Sequence, residues 1–331
     1  MNQHLRKYLA AAVCAGLTLG GASLPATAKD TITFAYVIDP MHEAMMYALK
    51  NGKVSSDKVT VEPKAVDLGA LLQGTISKRF DLVETAATSL PRAIAQGLDV
   101  KIVGTALRAQ DGQGTDIWVK NSSPIKDIRE IKGKVVGFPA ISSTSVTLAR
   151  IALWKGAGLN IDLNGGDFRY QETPSPALAG TLSTGRIDAA MLALSYGYRA
   201  KKSGEFRSIF NANKVNFQVF GVPPVTAVIV GYPERLSKAP DAYRAAIELL
   251  RASRAWALSH KDEVYRAVGK AENIDPEFFD ISMREYFDFP VTLSKGDITA
   301  IGKLWGFAQE LKLIDKYPPI NSVVWDKALI E

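Results

Sequence analysis

Residues 127–151 read DIREIKGKVVGFPAISSTSVTLARI. A β-rich run at 134–138 ends at Pro139, and a helical pattern begins at Thr147. Four hydroxyl side chains lie at the turn between them, at residues 142–145. A buried strand that passes through a polar turn into a helix is the repeating unit of an α/β fold. The stretch therefore predicts a strand–turn–helix unit with polar groups at the start of its helix.

The same alternation of strand and helix patterns runs through the chain on both sides of this stretch. Alternating or β-rich runs predict strands, and apolar residues at helical spacing predict the helices between them. Strands that alternate with helices imply parallel βαβ units in a doubly wound sheet, so the fold class is α/β. The predicted strands span 31–38, 58–63, 80–84, 100–105, 116–120, 134–138, 167–172, 187–194 and 226–230, and from Ala239 onward the chain is nearly all helical.

Two loop-forming stretches divide this pattern. Gly112-Gln113-Gly114 precedes a restart of the strand–helix alternation, and Gly221-Val222-Pro223-Pro224 precedes the last predicted strand. The layout indicates two α/β lobes with the chain crossing between them at these points. Gly and Pro are also common in ordinary loops, so the composition alone leaves the alternative of simple surface loops open.

The N-terminus has the layout of an export signal. Arg6 and Lys7 precede an apolar stretch at 9–24, and the sequence Pro-Ala-Thr-Ala ends at Ala28. A charged start, a short apolar middle and small residues at the cut predict cleavage after Ala28 and a periplasmic location. The alternative is an uncleaved membrane anchor, which the short length and three internal glycines disfavour.

Cysteine content and charge narrow the functional classes. The only cysteine, Cys14, lies inside the predicted signal, and Val13 before it is unlike a lipidation site. The exported chain would then have no disulfide, cysteine nucleophile or cysteine metal ligand.

The formal charge of the chain falls from +6 to +4 with the loss of Arg6 and Lys7, and the charges are scattered. No nucleic-acid partner is expected from such a pattern.

Several segments resemble one protein family. Residues 127–138 are similar to the "L-x-D-L-K-G-K-x-V-x-V" segment of solute-binding proteins, and Ser142-Ser143-Thr144-Ser145 to their "G-S-T-S" loop. Residues 154–159 resemble "L-K-K-A-G-L", and residues 179–190 resemble "A-L-x-x-G-x-I-D-A-A". Together they resemble the nitrate/sulfonate/taurine (SsuA/THI5-like) group of periplasmic substrate-binding proteins of ABC importers. Two departures are Ser142, where glycine is usual, and Glu84, where a small or neutral residue is usual.

The resemblance implies the type II periplasmic binding protein fold. One lobe would span 29–113 and 224–331, and the other 114–223. The ligand would lie in the cleft between them, where open α/β sheets present the carboxyl ends of their strands, and closure would be a hinge motion. The implied partners are a small-molecule solute and the permease subunits of an ABC importer in the inner membrane, and we expect a monomer.

The predicted ligand-binding residues cluster at strand ends and helix starts. Hydroxyls and free backbone N–H groups at a helix start can bind a polar or anionic group. The alternative is that one of these hydroxyls, or Ser89 in the first lobe, is only a helix cap. The candidates are Tyr36, Asp39, His42, Asp67, Thr85, Thr88 and Ser89 in the first lobe, and Ser142, Ser143, Thr144, Ser145, Thr173, Ser195 and Tyr196 in the second.

The charge of the solute stays open at this stage. Arg108, Arg169 or Arg199 would clamp a sulfonate or carboxylate, whereas Asp39 or Glu84 would pair with a base or zwitterion. The predicted function is capture of a small polar or anionic organic solute, such as a sulfonate, an aromatic acid or a pyrimidine-like molecule. No metal site or cofactor is expected.

The alternative is an enzyme on the same fold, of the THI5-like or menaquinone-pathway type. The resemblance implies that THI5-like synthases use a histidine and a lysine around pyridoxal phosphate. After residue 28 the chain has only His42 and His260, and His42 lies in the first predicted cleft loop. No glycine-rich nucleotide fingerprint or Ser/His/Asp set is evident. The sequence therefore predicts a carrier rather than a catalyst.

Overall fold

The structure is a computed structural model that describes residues 29–331. The predicted export signal and Cys14 lie outside the described residues. Within residues 29–331, each helix is too short or too polar to cross a membrane.

Eleven strands form two sheets in the described part of the chain. The strands are β1 (Asp30–Val37), β2 (Val59–Val66), β3 (Leu82–Ala86), β4 (Lys101–Ala109), β5 (Thr115–Lys120), β6 (Val135–Phe138), β7 (Arg169–Glu172), β8 (Ala189–Ala193), β9 (Phe206–Asn211), β10 (Val225–Gly231) and β11 (Phe287–Asp288).

Thirteen α-helices connect and cover these strands in the same residues. They are α1 (Pro40–Lys50), α2 (Leu68–Ile76), α3 (Leu90–Ala95), α4 (Thr144–Ala157), α5 (Ser175–Ser183), α6 (Leu194–Ser203), α7 (Ala212–Phe220), α8 (Pro233–Leu236), α9 (Pro240–Ser259), α10 (Lys261–Glu272), α11 (Glu277–Ile281), α12 (Lys295–Glu310) and α13 (Ile320–Val323). A 3₁₀ turn at Ile128–Ile131 and a π turn at Ser282–Tyr286 complete the helical structure.

The two sheets define two lobes. Lobe 1 is built on the six-stranded sheet, in the order β11-β4-β10-β3-β1-β2, and lobe 2 on the five-stranded sheet, in the order β7-β6-β8-β5-β9. The α/β class and two-lobed architecture predicted from the sequence are confirmed.

The strands are not all parallel, in contrast to the simple βαβ prediction. β10 is antiparallel to both β3 and β4, and β5 is antiparallel to β8. The crossings explain this difference. The chain leaves lobe 1 at the carboxyl end of β4 and enters lobe 2 at the facing edge, where β5 begins. The chain later returns from lobe 2 to lobe 1, and β10 begins at the edge where it enters. A strand that enters a sheet from its carboxyl edge must run against its parallel neighbours.

The sequence patterns gave no elements between residue 194 and the crossing at 221, where the structure has α6, β9 and α7. α6 carries Gly197 inside it, and β9 has only one buried residue, Phe206. α6 is short and polar overall, and β9 does not alternate between buried and exposed residues, so neither matches the apolar patterns that predict a helix or strand. Asn211 was an available clue for α7, since its side chain caps that helix through the Lys214 N–H at 2.9 Å.

Both faces of the lobe 1 sheet are covered by helices. On one side Met45 of α1 and Leu250 of α9 are fully buried with the sheet, and on the other side Leu304 and Trp305 of α12 are 0% exposed. Burying each such side chain stabilises the fold by about 1.5–3 kcal/mol. The Trp305 indole also donates to the Ala87 carbonyl at 2.8 Å. Helix α12 therefore fixes the loop after β3, where candidate site residues lie.

Candidate ligand-binding cleft

The carboxyl ends of the parallel strands meet at one edge of each lobe. In lobe 1, β1 is parallel to β2 and β3, so the chain leaves all three strands at the same edge. In lobe 2, β6 is parallel to β7 and β8. The candidate residues lie at these two edges, which are the usual binding positions of open α/β sheets.

Hydrogen bonds across the two lobes show that these edges face each other. The Ser195 hydroxyl of α6 donates to Asp39 Oδ2 at 2.9 Å. The Thr88 N–H donates to Thr144 Oγ1 at 3.1 Å, and the two threonine hydroxyls are 3.0 Å apart. Four predicted site residues from distant parts of the sequence thus form two interlobe contacts, and the lobes are closed against each other.

Asp39 joins the start of helix α1 to the second lobe. Its extended backbone and side chain form the N-cap of α1, with Oδ1 accepting the Met41 N–H at 2.9 Å and Pro40 at the first helical position. The other carboxylate oxygen accepts the Ser195 bond described above. Asp39 is 4% exposed, and this burial raises the pKa of its carboxyl group.

His42 lies in the first turn of α1 and is enclosed in lobe 1. Its ring stacks on Tyr36 at 6.2 Å between centroids and meets the Phe289 ring edge-on at 4.7 Å. Nε2 is 3.2 Å from Glu84 Oε2, at an angle outside a normal hydrogen bond, and Nδ1 has no partner among the described residues. Burial alone would lower the pKa of His42, but the nearby carboxylates, Glu84 foremost, raise it above its ordinary value.

Glu84 is a buried acid in the middle of a central strand. It is 4% exposed on β3, and its Oε2 accepts the Val37 N–H from β1 at 3.2 Å in addition to facing His42. Charged side chains are almost never fully buried unless they are paired. In the sequence Glu84 is a departure from the family pattern and one of two acids that would pair with a basic solute, and it is not among the predicted ligand-binding residues. The structure places it beside one predicted site residue, His42, whose other acidic neighbours include Asp39.

Tyr36 is fully engaged within lobe 1. Its side chain is 1% exposed, and its hydroxyl donates to Glu43 Oε1 at 2.9 Å. Glu43 also pairs with Lys50 at 2.5 Å. Burial and the Glu43 carboxylate raise the pKa of Tyr36. The hydroxyl therefore stays protonated, and Tyr36 serves as the wall behind His42.

The hydroxyls at the start of α4 have separate roles. Ser143 is the N-cap, accepting the Val146 N–H at 3.4 Å, and its hydroxyl is 3.2 Å from that of Ser145. Because Ser143 caps the helix, α4 begins at Thr144, three residues before the predicted start. Thr144 makes the interlobe contact with Thr88, and Ser142 is exposed. Ser143 is thus a cap and Thr144 bridges the lobes, whereas Ser142 is exposed and Ser145 is half-buried beside the cap.

The remaining candidates occupy the same edges with varied surroundings. Asp67 is exposed and caps α2 through the Ala70 N–H at 2.8 Å. Thr85 lies inside β3 and Thr173 directly follows β7, and both are buried. The Ser89 hydroxyl donates to the Ala86 carbonyl and does not cap α3.

Ser195 and Tyr196 occupy the first turn of α6, directly after a residue in an unusual backbone conformation. Leu194 has a φ of +53°, in the left-handed region that side chains rarely adopt. Such a conformation costs on the order of 1–3 kcal/mol and clusters at functional sites. Ser195 is buried, and Tyr196 is half-buried. The strained turn delivers the Ser195 hydroxyl to Asp39.

None of the three arginines considered as anion clamps is free for that role. Arg108 pairs with Asp288 at 2.8 Å and Asp297 at 3.2 Å. Arg199 donates to the backbone carbonyls of Asn273 and Glu272. Arg169 is exposed at the first residue of β7, at the opposite end of that strand from the cleft edge.

The described residues include no cluster of side chains that could hold a metal ion, and they include a contact that the sequence did not predict. No group of three or more His, Cys, Asp or Glu side chains within residues 29–331 is arranged to hold a metal ion. Phe289, which contacts His42, was absent from the sequence-based site. It reaches the cluster after β11, 247 residues along the chain, and no local sequence pattern predicts such a contact.

Comparison with solved structures identifies the class of fold. The periplasmic aliphatic sulphonate binding protein SsuA from Escherichia coli matches with a TM-score of 0.72 and 15% identity, over 91% of this chain and 94% of that chain. The alkanesulfonate-binding protein SsuA from Xanthomonas axonopodis pv. citri, bound to MOPS, matches with a TM-score of 0.70 and 14% identity, over 89% and 98%. A Candida albicans gene product with the generic periplasmic binding protein fold also scores 0.70 at 15% identity, over 90% and 97%. The fold is therefore that of the two-lobed periplasmic binding proteins.

The family is established separately. The family described as NMT1/THI5 like matches residues 58–264, which is more than half of the 331 residues. The chain belongs to the NMT1/THI5-like family, as the resemblance predicted. None of the curated proteins matches the sequence.

Proposed function

We propose that this protein is the solute-binding component of an ABC importer and works outside the cytoplasm. It captures a small polar organic solute between its lobes and delivers it to the permease subunits in the membrane. Family membership and the periplasmic binding protein fold support the proposal. The observation that carries it is the meeting of the two carboxyl edges through Asp39–Ser195 and Thr88–Thr144.

The closing contacts suit a carrier that must release its solute. The direct contacts between the two candidate edges are hydroxyl and carboxylate hydrogen bonds, and beside them the lobes pack through apolar side chains, among them Leu148 of α4 in the lobe 1 core and Tyr198 of α6 against Phe278. Each contributes about 0.5–1.5 kcal/mol, or up to ~3 where a charge is involved. These bonds add to the apolar packing between the lobes, and in this proposal solute binding shifts the balance between open and closed lobes.

The crossings between the lobes are tightly built. A side chain on Gly114 would meet Asn213 Nδ2 at 2.6 Å and the Tyr286 backbone at 3.0 Å, so only glycine fits there. Gly221, at the second crossing, has a φ of +65°. In this proposal the two segments form the hinge, with lobe 1 comprising 29–113 and 224–331 and lobe 2 comprising 114–223.

Mass spectrometry of the natively purified protein tests the proposal. We expect one small molecule per chain, released unchanged on denaturation, and a more compact particle by small-angle X-ray scattering when that molecule is added back. Chemical conversion of the solute, or retention of pyridoxal phosphate, would favour the enzyme alternative instead. A chain that neither retains a solute nor compacts on solute addition would contradict the proposal.

A further inference from the structure

The cleft edge of lobe 1 carries an acidic cluster, which we define as Asp39, His42 and Glu84. All three side chains are buried, at 4%, 5% and 4% exposure. Asp39 touches lobe 2 through Ser195, so the cluster borders the closing surface rather than the interior of lobe 1 alone. With both carboxylates ionised and the imidazole protonated, its charge sums to one negative. With a neutral imidazole the excess is two.

The hydrogen bonds to the two carboxylates come from neutral donors. Asp39 accepts from the Met41 N–H and the Ser195 hydroxyl, and Glu84 accepts from the Val37 N–H. The charge closest to them is His42, which faces Glu84. A buried charge without full compensation is destabilising, and proteins normally supply a partner of opposite sign.

A second observation is independent of the charge count. His42 Nδ1 is a buried polar atom that no hydrogen bond reaches among residues 29–331. Buried polar atoms are nearly always satisfied, so each exception calls for a partner. The ring packs against Tyr36 and Phe289, and neither of these aromatic rings supplies a hydrogen bond to Nδ1.

The three arginines considered as clamps for an anionic solute do not compensate the acidic cluster. Arg108 is neutralised by two aspartates, Arg199 is bound to backbone carbonyls, and Arg169 lies at the far end of its strand. A sulfonate or carboxylate at the acidic cluster would meet two carboxylates and no free guanidinium. Like charges at close range in a buried site are strongly unfavourable.

We propose that the acidic cluster binds a protonated amine or amidinium group of the solute, so that the protein is selective for organic cations or zwitterions over simple anions. This inference rests on the proposed solute-binding function. The cationic group supplies positive charge to Asp39 and Glu84, and His42 Nδ1, in the neutral imidazole with Nε2–H toward Glu84, accepts a hydrogen bond from the same solute.

Matched probes that differ only in charge test the proposal. The first series is benzamidine, benzamide and benzoate, and the second is butylammonium and butanesulfonate. Thermal shift and isothermal titration on the full protein are expected to show stabilisation by the amidinium or ammonium members, with affinity at least tenfold above that of the anionic members. Preferential stabilisation by benzoate or butanesulfonate overturns the proposal, as does stabilisation by no cation.

Variants locate the effect at the cluster. Glu84→Gln keeps the shape and removes the charge, and we expect at least a tenfold loss of affinity for the cationic probe with little change for benzamide. The matched control is Glu62→Gln on β2, whose side chain is 47% exposed and pairs with Lys64. If Glu84→Gln does not fold by circular dichroism, Asp39→Asn gives the same test. Unchanged cation affinity in both variants contradicts the proposal.

The outcome separates this inference from the proposed function. If the retained solute closes the lobes but carries only negative charge, the proposed cation selectivity is wrong and the proposed carrier function still holds. If the protein binds no solute at all, both the carrier function and the cation selectivity are contradicted.

Discussion

Ser195 of lobe 2 donates a 2.9 Å hydrogen bond to Asp39 of lobe 1, across 156 positions of sequence. The same carboxylate caps helix α1, so one side chain both fixes the start of a helix and contacts the opposite lobe. Asp39 therefore links the local fold of lobe 1 to the closure of the cleft.

The substitution Ser195→Ala is expected to weaken closure. It removes one interlobe bond and leaves one Asp39 oxygen without its hydroxyl partner, a loss of about 1–3 kcal/mol in the closed form. Affinity for the co-purified solute, measured by titration calorimetry, should fall by about fivefold or more. Ser203→Ala is the matched control on the same helix, since that hydroxyl bonds only within lobe 2. Equal affinities for the two variants would show that the Ser195 bond does not contribute to closure.

The Thr88–Thr144 contact offers a way to lock the cleft. Cys14 is the only cysteine, so a chain with Cys14→Ser, Thr88→Cys and Thr144→Cys has a single possible disulfide. Because the native hydroxyls are 3.0 Å apart, oxidation should link the lobes in the closed form. Non-reducing gel mobility should report the link, and solute exchange should stop until a reductant is added. Free exchange in the oxidised protein would contradict a closing motion at this contact.

The start of α4 should respond to substitution as a cap. Ser143→Ala removes the acceptor for the Val146 N–H and should lower the free energy of unfolding by about 1 kcal/mol. Ser142→Ala, one residue earlier and exposed, should leave stability unchanged. Urea denaturation measures both. Equal stability of the two variants would mean that the hydroxyl does not cap the helix.

Much of the fold followed from the sequence because its determinants are local. β1, α1, β6 and α4 each carry their own apolar pattern, and the family segments confirm their order. Strand direction was less accessible. β5 and β10 run antiparallel because of where the chain crosses between the lobes, and strand–helix alternation alone does not encode that route.

The site was predictable where its residues follow strand ends. Asp39, Thr88, Thr144 and Ser195 were all candidates, and the structure brings them into two contacts. Phe289 was not, since its contact with His42 depends on the packing of distant elements. Whether the remaining candidates touch a solute stays a prediction.

Stability should depend on pH through His42. The charged groups around it are Glu84, Asp39 and Glu43, and these carboxylates raise its pKa against the effect of burial. The folded state then binds the proton more tightly than the unfolded state, so the contribution is complete below the ordinary histidine pKa and is lost as pH rises through the folded value. The stability advantage of wild type over His42→Gln should therefore shrink from pH 6 to pH 9 in urea titrations. An advantage that grows over that range would contradict the assigned direction.

A second pH effect is expected at Asp116 of β5, near the first crossing. Burial raises the pKa of this aspartate to about 6, against the hydrogen bond from the Ser208 hydroxyl. Between about pH 4 and pH 6 the folded state retains a proton that the unfolded state has lost. The free energy of unfolding should therefore fall as the pH rises through this range, by roughly 3 kcal/mol at most. Asp116→Asn should remove this fall. A variant with the same pH profile as wild type would exclude Asp116 as its source.

Mass spectrometry of the molecule that the natively purified protein carries tests solute binding between the lobes most directly. We predict one unmodified solute per chain, with a protonated amine or amidinium group, whose retention depends on Asp39 and Glu84. Conversion of that molecule to a product by the protein, or the absence of any molecule that binds and closes the lobes, would contradict it.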